Sequence, residues 1–147
     1  MKQIYLFAVI VVVLCSGYVW YRQSYHTKNN LSPEDHALWD DYTVTTMDIQ
    51  GQTYRLVVAD TPQKWEQGLM YLREPSEDFD GMVFQFVGST SHTFWNKNTY
   101  LDLKLYWMQD DRVVGESNLP AIDSSNTVRT VQSPGPVDTV VEIIEKK

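Results

Sequence analysis

The sequence predicts a mainly β protein: a compact antiparallel β barrel or sandwich of about seven or eight strands with one short helix, preceded by an N-terminal transmembrane helix. Three observations predict it. Apolar and polar residues alternate with a period of two through most of residues 42–144, broken by Gly, Pro, Asn and Asp clusters. Within that body, one stretch opening at Asp60-Thr61-Pro62 has the cap and spacing of a helix. Residues 4–21 carry no charged side chain.

In the leader, only Ser16 and Gly17 interrupt the apolar run from Ile4 to Tyr21. As a helix that run spans roughly 27 Å, close to the hydrocarbon thickness of a bilayer. Tyr18, Trp20 and Tyr21 sit at its far end, where amphipathic rings favour the membrane boundary, and Arg22 stops it. Residues 1–22 are therefore expected to form a signal anchor that meets the membrane through residues 4–21. Cleavage near Cys15-Ser16-Gly17 is the alternative and would secrete the body. Leu14 is too bulky for the position before an acylated Cys15. The basic residues are nearly balanced, with Lys2 on one side and Arg22 and Lys28 on the other. A short tail carrying a Lys stays inside, so the body is expected outside the cytoplasm. Residues 23–41 read as a linker, in which Ser32-Pro33-Glu34-Asp35 has the form of a capped helix start.

The remaining residues, 42–147, form the expected domain. Tyr42, Val44 and Thr46 alternate with Thr43, Thr45 and Met47 up to Gly51-Gln52, and Tyr54, Leu56 and Val58 resume the pattern, which predicts a hairpin. The helix at Pro62 is expected to run about ten residues, through Gly68 to Met70, with Trp65 and Leu69 facing together. Gly68 inside it implies a close approach to another backbone. Gly81 leads into Met82-Val83-Phe84-Gln85-Phe86, and Thr93-Phe94-Trp95 forms a short strand ending in a turn at Asn96-Lys97-Asn98-Thr99. Leu101, Leu103, Leu105 and Trp107 alternate strictly with polar and smaller neighbours, the clearest strand of the chain. Asp110-Asp111 turns it back into Arg112-Val113-Val114. A loop around Pro120 precedes a strand at Val128 to Val131, and Ser133-Pro134-Gly135-Pro136 turns into the last strand, Val137 to Ile144.

Charge and cysteine usage exclude several functions. The chain holds 12 Lys+Arg against 19 Asp+Glu, a net charge of −7. Residues 1–30 contain Lys2, Arg22 and Lys28 and no acid, so the rest carries −10. That body lacks the basic footprint a nucleic-acid binder needs. The single cysteine, Cys15, lies in the apolar leader, which removes disulfides, multi-cysteine metal sites and cysteine catalysis from the domain. No Gly-x-Ser-x-Gly elbow, His-Glu-x-x-His pair, calcium loop or phosphate-binding glycine loop is present. Of the histidines, His26 and His36 lie in the linker and only His92, in a loop, falls within the expected domain.

The most unusual local feature is Phe94-Trp95-Asn96-Lys97-Asn98-Thr99-Tyr100-Leu101-Asp102, two large aromatics leading into polar residues. Its simplest reading is a turn in which Asn side chains bond their own backbone. Its functional reading is a polar patch at the mouth of an aromatic pocket, with Lys97 as cation and Asp102 as acceptor. Met70 and Met82, each close to a Gly, are core filler or, less simply, thioether ligands for Cu(I).

The series Val58-Ala59-Asp60-Thr61-Pro62, Gly68-Leu69-Met70-Tyr71, Gly81-Met82-Val83-Phe84 and Phe94-Trp95-Asn96-Lys97-Asn98-Thr99 resembles the domain of unknown function 192 family, and Leu101-Asp102-Leu103 and Val140-Val141-Glu142-Ile143 fit its later pattern. The resemblance implies a small β-rich domain with one short helix, often exported, and no settled activity. Its signature falls on Gly68, Met70, Gly81, Met82, Phe94, Trp95, Lys97, Asn98, Thr99 and Asp102. The family usually has Met after the Phe-Trp pair, where this chain has Asn96, so a three-thioether metal site would lose a ligand. The family also tends to end its last strand in a Gly-containing turn, where this chain has Glu145-Lys146-Lys147.

The expected function is a membrane-tethered, extracytoplasmic β domain that binds a small ligand or a protein, with no cofactor, no metal and no nucleic acid, and a monomeric body. The candidate binding residues are Trp95, Lys97, Asn98, Thr99 and Asp102, with Met70 and Met82 as an apolar floor. The alternatives are a hydrolase or lyase using Lys97 and Asp102, with His92, as acid–base groups, and a purely structural domain.

Overall fold

In the computed structural model, the described residues are Trp39 and residues 41–146. The expected anchor at residues 4–21, the signal segment 1–22 and nearly all of the linker 23–41 lie outside them. Among the described residues no helix is long and apolar enough to cross a membrane.

The hairpin forms as its alternation predicts: β1 (Val44–Ile49) pairs antiparallel with β2 (Gln52–Ala59). The tight turn is met by Gln50 and Gly51, both at positive φ. Helix α1 (Pro62–Gln67) follows, its N-terminus capped by the Thr61 hydroxyl accepting from the Lys64 N–H and its first turn holding Pro62. The helix is six residues rather than ten, because Gly68 ends it. Gly68 adopts φ 50 and gives its N–H to the Lys64 carbonyl. No backbone approaches it; the nearest atom to a Cβ there would be Phe84 Cζ at 3.7 Å. Its role is to end the helix at a positive φ that favours glycine, not the close approach expected of it.

The connection through α1 and residues 68–80 carries the chain back, so β3 (Gly81–Thr90) lies parallel to β2, with Leu56 beside Gly81 and Ala59 beside Phe84. This corrects the all-antiparallel expectation. A parallel neighbour needs a crossover of a dozen or more residues, and the helix supplies it. After β4 (Thr93–Trp95), the strands β5 (Leu103–Gln109) and β6 (Arg112–Leu119) form a second hairpin. Its turn residues Asp110 and Asp111 are both at positive φ. A second short helix, α2 (Ile122–Ser125), replaces part of the predicted loop. Strand β7 is Thr130–Gln132, two residues later than its apolar run suggested, and β8 is Val137–Ile144.

Six strands form one sheet in the order β1-β2-β3-β8-β5-β6, and β4 pairs with β7 in a separate two-stranded sheet. Among the described residues there is no closed barrel. The large sheet curls far enough for Gln50, at the β1–β2 turn, to donate to Glu116 on β6 at 2.7 Å, yet the two edge strands share no ladder. One core fills the curl: Ile49, Tyr54, Leu56, Val83, Tyr106, Met108, Val141 and Ile143 pack together. The opposite face presents Phe84, Leu105, Trp107 and Val140, on which Phe94 of the small sheet packs edge-on at 4.8 Å to Phe84 and 5.6 Å to Trp107. With both faces covered, Leu105 through Met108 are all buried, so the strict alternation of β5 in sequence does not become an alternation in burial.

Strand β8 is the centre of the sheet, flanked antiparallel by β3 and β5. Glu142 pairs with Met82 on one side and Leu105 on the other. This register puts an acid on the face shared with Phe84 and Val140.

Candidate functional site

Between α1, β3, β4 and β8 lies a cavity of about 260 Å³. Helix α1 and the residues after it contribute Trp65, Glu66, Gln67, Gly68 and Met70. Strand β3 contributes Phe84 and Phe86, and β8 contributes Glu142. The far side is His92 to Trp95, with Thr99.

Each wall has a local cause. The Trp65 indole N–H donates to the Ala59 carbonyl at 2.9 Å, which fastens α1 to the end of β2. The β3–β8 ladder breaks after Gln85, where the register jumps from Gln85–Thr139 to Thr90–Val137 and Gly88 adopts φ 81. Past that bulge Phe86 leaves the ladder, stacks on His92 at 3.7 Å and meets Trp65 at 5.1 Å. His92 is held by its backbone, its N–H donating to Ser133 Oγ at 3.1 Å and its carbonyl accepting from the Ser133 N–H at 3.0 Å.

The cavity holds polar groups that the protein leaves unmet. Glu142 is only 4% exposed, and no hydrogen bond or ion pair from a described residue reaches its carboxyl. Burial raises its pKa from 4.5 to about 8, the cost of an ionised carboxylate in a low dielectric. Among the described residues no Lys or Arg lines the cavity. His92 Nε2 and Gln67 Nε2 are buried there without partners, and burial lowers the His92 pKa. Natural proteins leave few buried polar atoms unpaired, so the unpaired Nε2 atoms of His92 and Gln67, both on residues that line the cavity, and the buried Glu142 carboxyl mark it as a candidate binding site.

A second, more polar recess of about 380 Å³ adjoins the first. Glu66, Gln67, Met70 and Trp95 line both and form the boundary between them, while Gln63, Tyr71, Lys97 and Asn98 belong to the outer one. Lys97 Nζ stands 5.2 Å from the centre of the Trp95 ring. Trp95 itself is 46% exposed, as a residue at such a boundary would be.

The sequence-derived candidates thus separate. Met70, Trp95 and Thr99 line the inner cavity; Lys97 and Asn98 line the outer recess. Asn98 also has a structural task, donating from Nδ2 to the Tyr71 hydroxyl at 3.0 Å while its carbonyl accepts from the Tyr71 N–H at 2.8 Å. Met82 is fully buried beside Glu142 in the sheet and lines neither. Asp102 lines a third depression, near Pro120 and Glu145, where its Oδ1 accepts from the Ala121 N–H at 2.8 Å. The Lys97–Asp102 acid–base pair is therefore split between two pockets. Asn96, where the family resemblance expects Met, is fully buried. Its Nδ2 donates to the Pro120 carbonyl and Ser125 Oγ, and its Oδ1 accepts from the Arg129 N–H, which ties the turn to α2 and β7.

Sequence reasoning missed Glu142 as a site residue. The signal was available: one acid inside Val140-Val141-Glu142-Ile143-Ile144, a run whose continuous hydrophobicity marks a strand covered on both faces.

These features define a small mixed-sheet β domain with an aromatic cavity around a buried carboxyl. The chain belongs to the domain of unknown function 192 family, described as an uncharacterised ACR, whose model matches residues 43–146. Two crystal structures are similar. One, described as a candidate transcription regulator from Sinorhizobium meliloti 1021, is 30% identical with a TM-score of 0.53, covering 70% of this chain and 79% of that one. The other, a protein of unknown function from Novosphingobium aromaticivorans DSM 12444, is 21% identical with a TM-score of 0.51, covering 71% and 83%. No curated protein matches.

Proposed function

We propose that this protein is a binding module for a small ligand, held at a membrane by residues 4–21 with its β domain outside the cytoplasm. The observation that carries the reading is the cavity between α1 and β8, aromatic on most sides and furnished with a buried carboxyl that no described residue pairs with. Specific small-molecule sites have this form: concave, mostly apolar, with a few convergent polar groups. The leader's uncharged run and its terminal rings support the tether. Transcription regulation is the role named for the Sinorhizobium protein, and direct contact of this chain with DNA would fit poorly with a body of net charge −10.

The test is ligand-observed NMR on the full-length chain with a panel of small aromatic and aliphatic fragments. Saturation transfer to some fragments, abolished by Met70→Trp at the boundary between the recesses, supports the reading. Equal transfer with the wild type and Met70→Trp, or none with either, sinks it.

A further inference from the structure

We propose that the inner cavity takes an organic cation, a small alkylated ammonium, which it holds between aromatic rings and the Glu142 carboxylate. The inference rests on the binding reading above and names its ligand class.

The cavity's chemistry is one-sided. Among the described residues its ionisable groups are Glu66 on α1, His92 before β4 and Glu142 on β8, and no Lys or Arg lines it. The strands beside Glu142 present Met82 and Leu105, which carry no charge, and the nearest basic residue of the site, Lys97, lines the outer recess instead. His92, with its lowered pKa, is neutral near pH 7. An anionic ligand would meet two carboxyl groups and no cation. A neutral apolar ligand would leave Glu142 as unmet as it is in the empty cavity.

A cation answers both the carboxyl and the rings. Trp65, Phe86, Phe94 and Trp95 line one void, and aromatic faces attract desolvated ammonium groups through their quadrupoles. Trp95 displays that attraction on its outer side, where Lys97 Nζ sits over the ring. Alkylation suits the ligand, because an apolar cavity cannot hydrogen-bond every N–H of a primary ammonium. Size agrees as well: about 260 Å³ corresponds to roughly eight or nine water-sized groups, enough for a quaternary ammonium with a short substituent.

Proton linkage follows from the same geometry. With a pKa near 8, the carboxyl of the empty cavity is mostly protonated at neutral pH, and a cation must displace that proton to form the ion pair. Affinity for a permanently charged ligand therefore rises with pH up to about 8, by as much as about tenfold per unit.

The experiment titrates the full-length chain with choline and with 3,3-dimethylbutan-1-ol, its uncharged carbon isostere, by calorimetry at about pH 7 and about pH 9. Choline is expected to bind at least about tenfold more tightly than the isostere, with the gap widening at the higher pH. Glu142→Gln is expected to close the gap while leaving the isostere's affinity within about twofold. Proton release, read from buffers of different ionisation enthalpy, should accompany choline binding at about pH 7 and disappear in Glu142→Gln. If the isostere binds as tightly as choline, the cavity is a binding site but not for cations, and the inference is overturned alone. If neither binds at millimolar concentration, the inference and the binding reading fall together.

Discussion

Gly81 lies so close to Glu142 that a Cβ on it would overlap the Glu142 carbonyl oxygen and stand 3.0 Å from the Ile143 Cα. The strand that carries the buried acid is thus seated against β3 by the absence of a side chain. Gly81→Ala must push β8 away from β3, and backbone cannot yield as a flexible side chain can. It should cost about 3 kcal/mol or more, or prevent folding. Gly135→Ala, with nothing within 4 Å of the new methyl, should stay within about 0.5 kcal/mol of the wild type. Urea denaturation of the two variants checks the contrast; equal stability would show that the β3–β8 spacing is not set at Gly81.

The Glu142 carboxyl ties stability to pH. Its folded pKa, about 8, is above the unfolded value near 4.5, so between these values the unfolded chain releases a proton that the folded one keeps. The group's contribution is complete below pH 4.5 and is lost as pH rises to about 8. The slope has a ceiling of about 1.4 kcal/mol per pH unit inside that window. Glu142→Gln, which cannot ionise, should flatten this part of the profile. Midpoints of chemical denaturation measured across the window for both proteins would show it, and parallel profiles would contradict it.

His92 titrates in the opposite sense. Burial against Phe86 lowers its pKa below 6.5, so its contribution is present above 6.5 and disappears as pH falls through the folded value. The imidazole resonances of His92 should show a midpoint below 6.5. Phe86→Ala should raise that midpoint by admitting water to the ring.

How much of this was legible in the sequence depends on what a residue's neighbours in the chain can disclose. The two hairpins were readable because Gly51-Gln52 and Asp110-Asp111 are local turn chemistry between alternating runs, although the first turn falls one residue earlier, at Gln50-Gly51. The helix start was readable at Thr61-Pro62 for the same reason. Its end was misplaced because Gly68 could serve as an interior or a cap residue, and only the chain's reversal decides. The parallel pairing of β2 with β3 and the insertion of β8 between β3 and β5 depend on contacts far apart in sequence, which period-two patterns do not encode. The aromatic–polar segment drew notice to Trp95 and Thr99, which line the inner cavity. It could not show that Asp102 turns away to Ala121, or that the partner of the aromatic wall is Glu142, forty-odd residues on.

Asn96 tests the distinction between bracket and binding surface. Asn96→Ala leaves the Arg129 N–H and the Pro120 carbonyl without the partners they have in a fully buried position. A loss of about 2–4 kcal/mol is expected. Trp95→Ala, at a half-exposed boundary residue, should cost about 1 kcal/mol or less and instead weaken fragment binding. Thermal melts paired with the NMR fragment assay separate the two; a large stability loss in Trp95→Ala would assign that ring to the core.

The central place of β8 has a consequence for assembly. The strand follows every other described strand in the chain, yet it supplies the ladder between β3 and β5. Until it arrives, β3 and β5 each present an unpaired edge, and the cavity has no floor. Such distant pairing closes large loops before it gains contacts, which slows folding. A ligand lodged against Glu142 would therefore act as a latch on the strand that joins the two halves of the sheet.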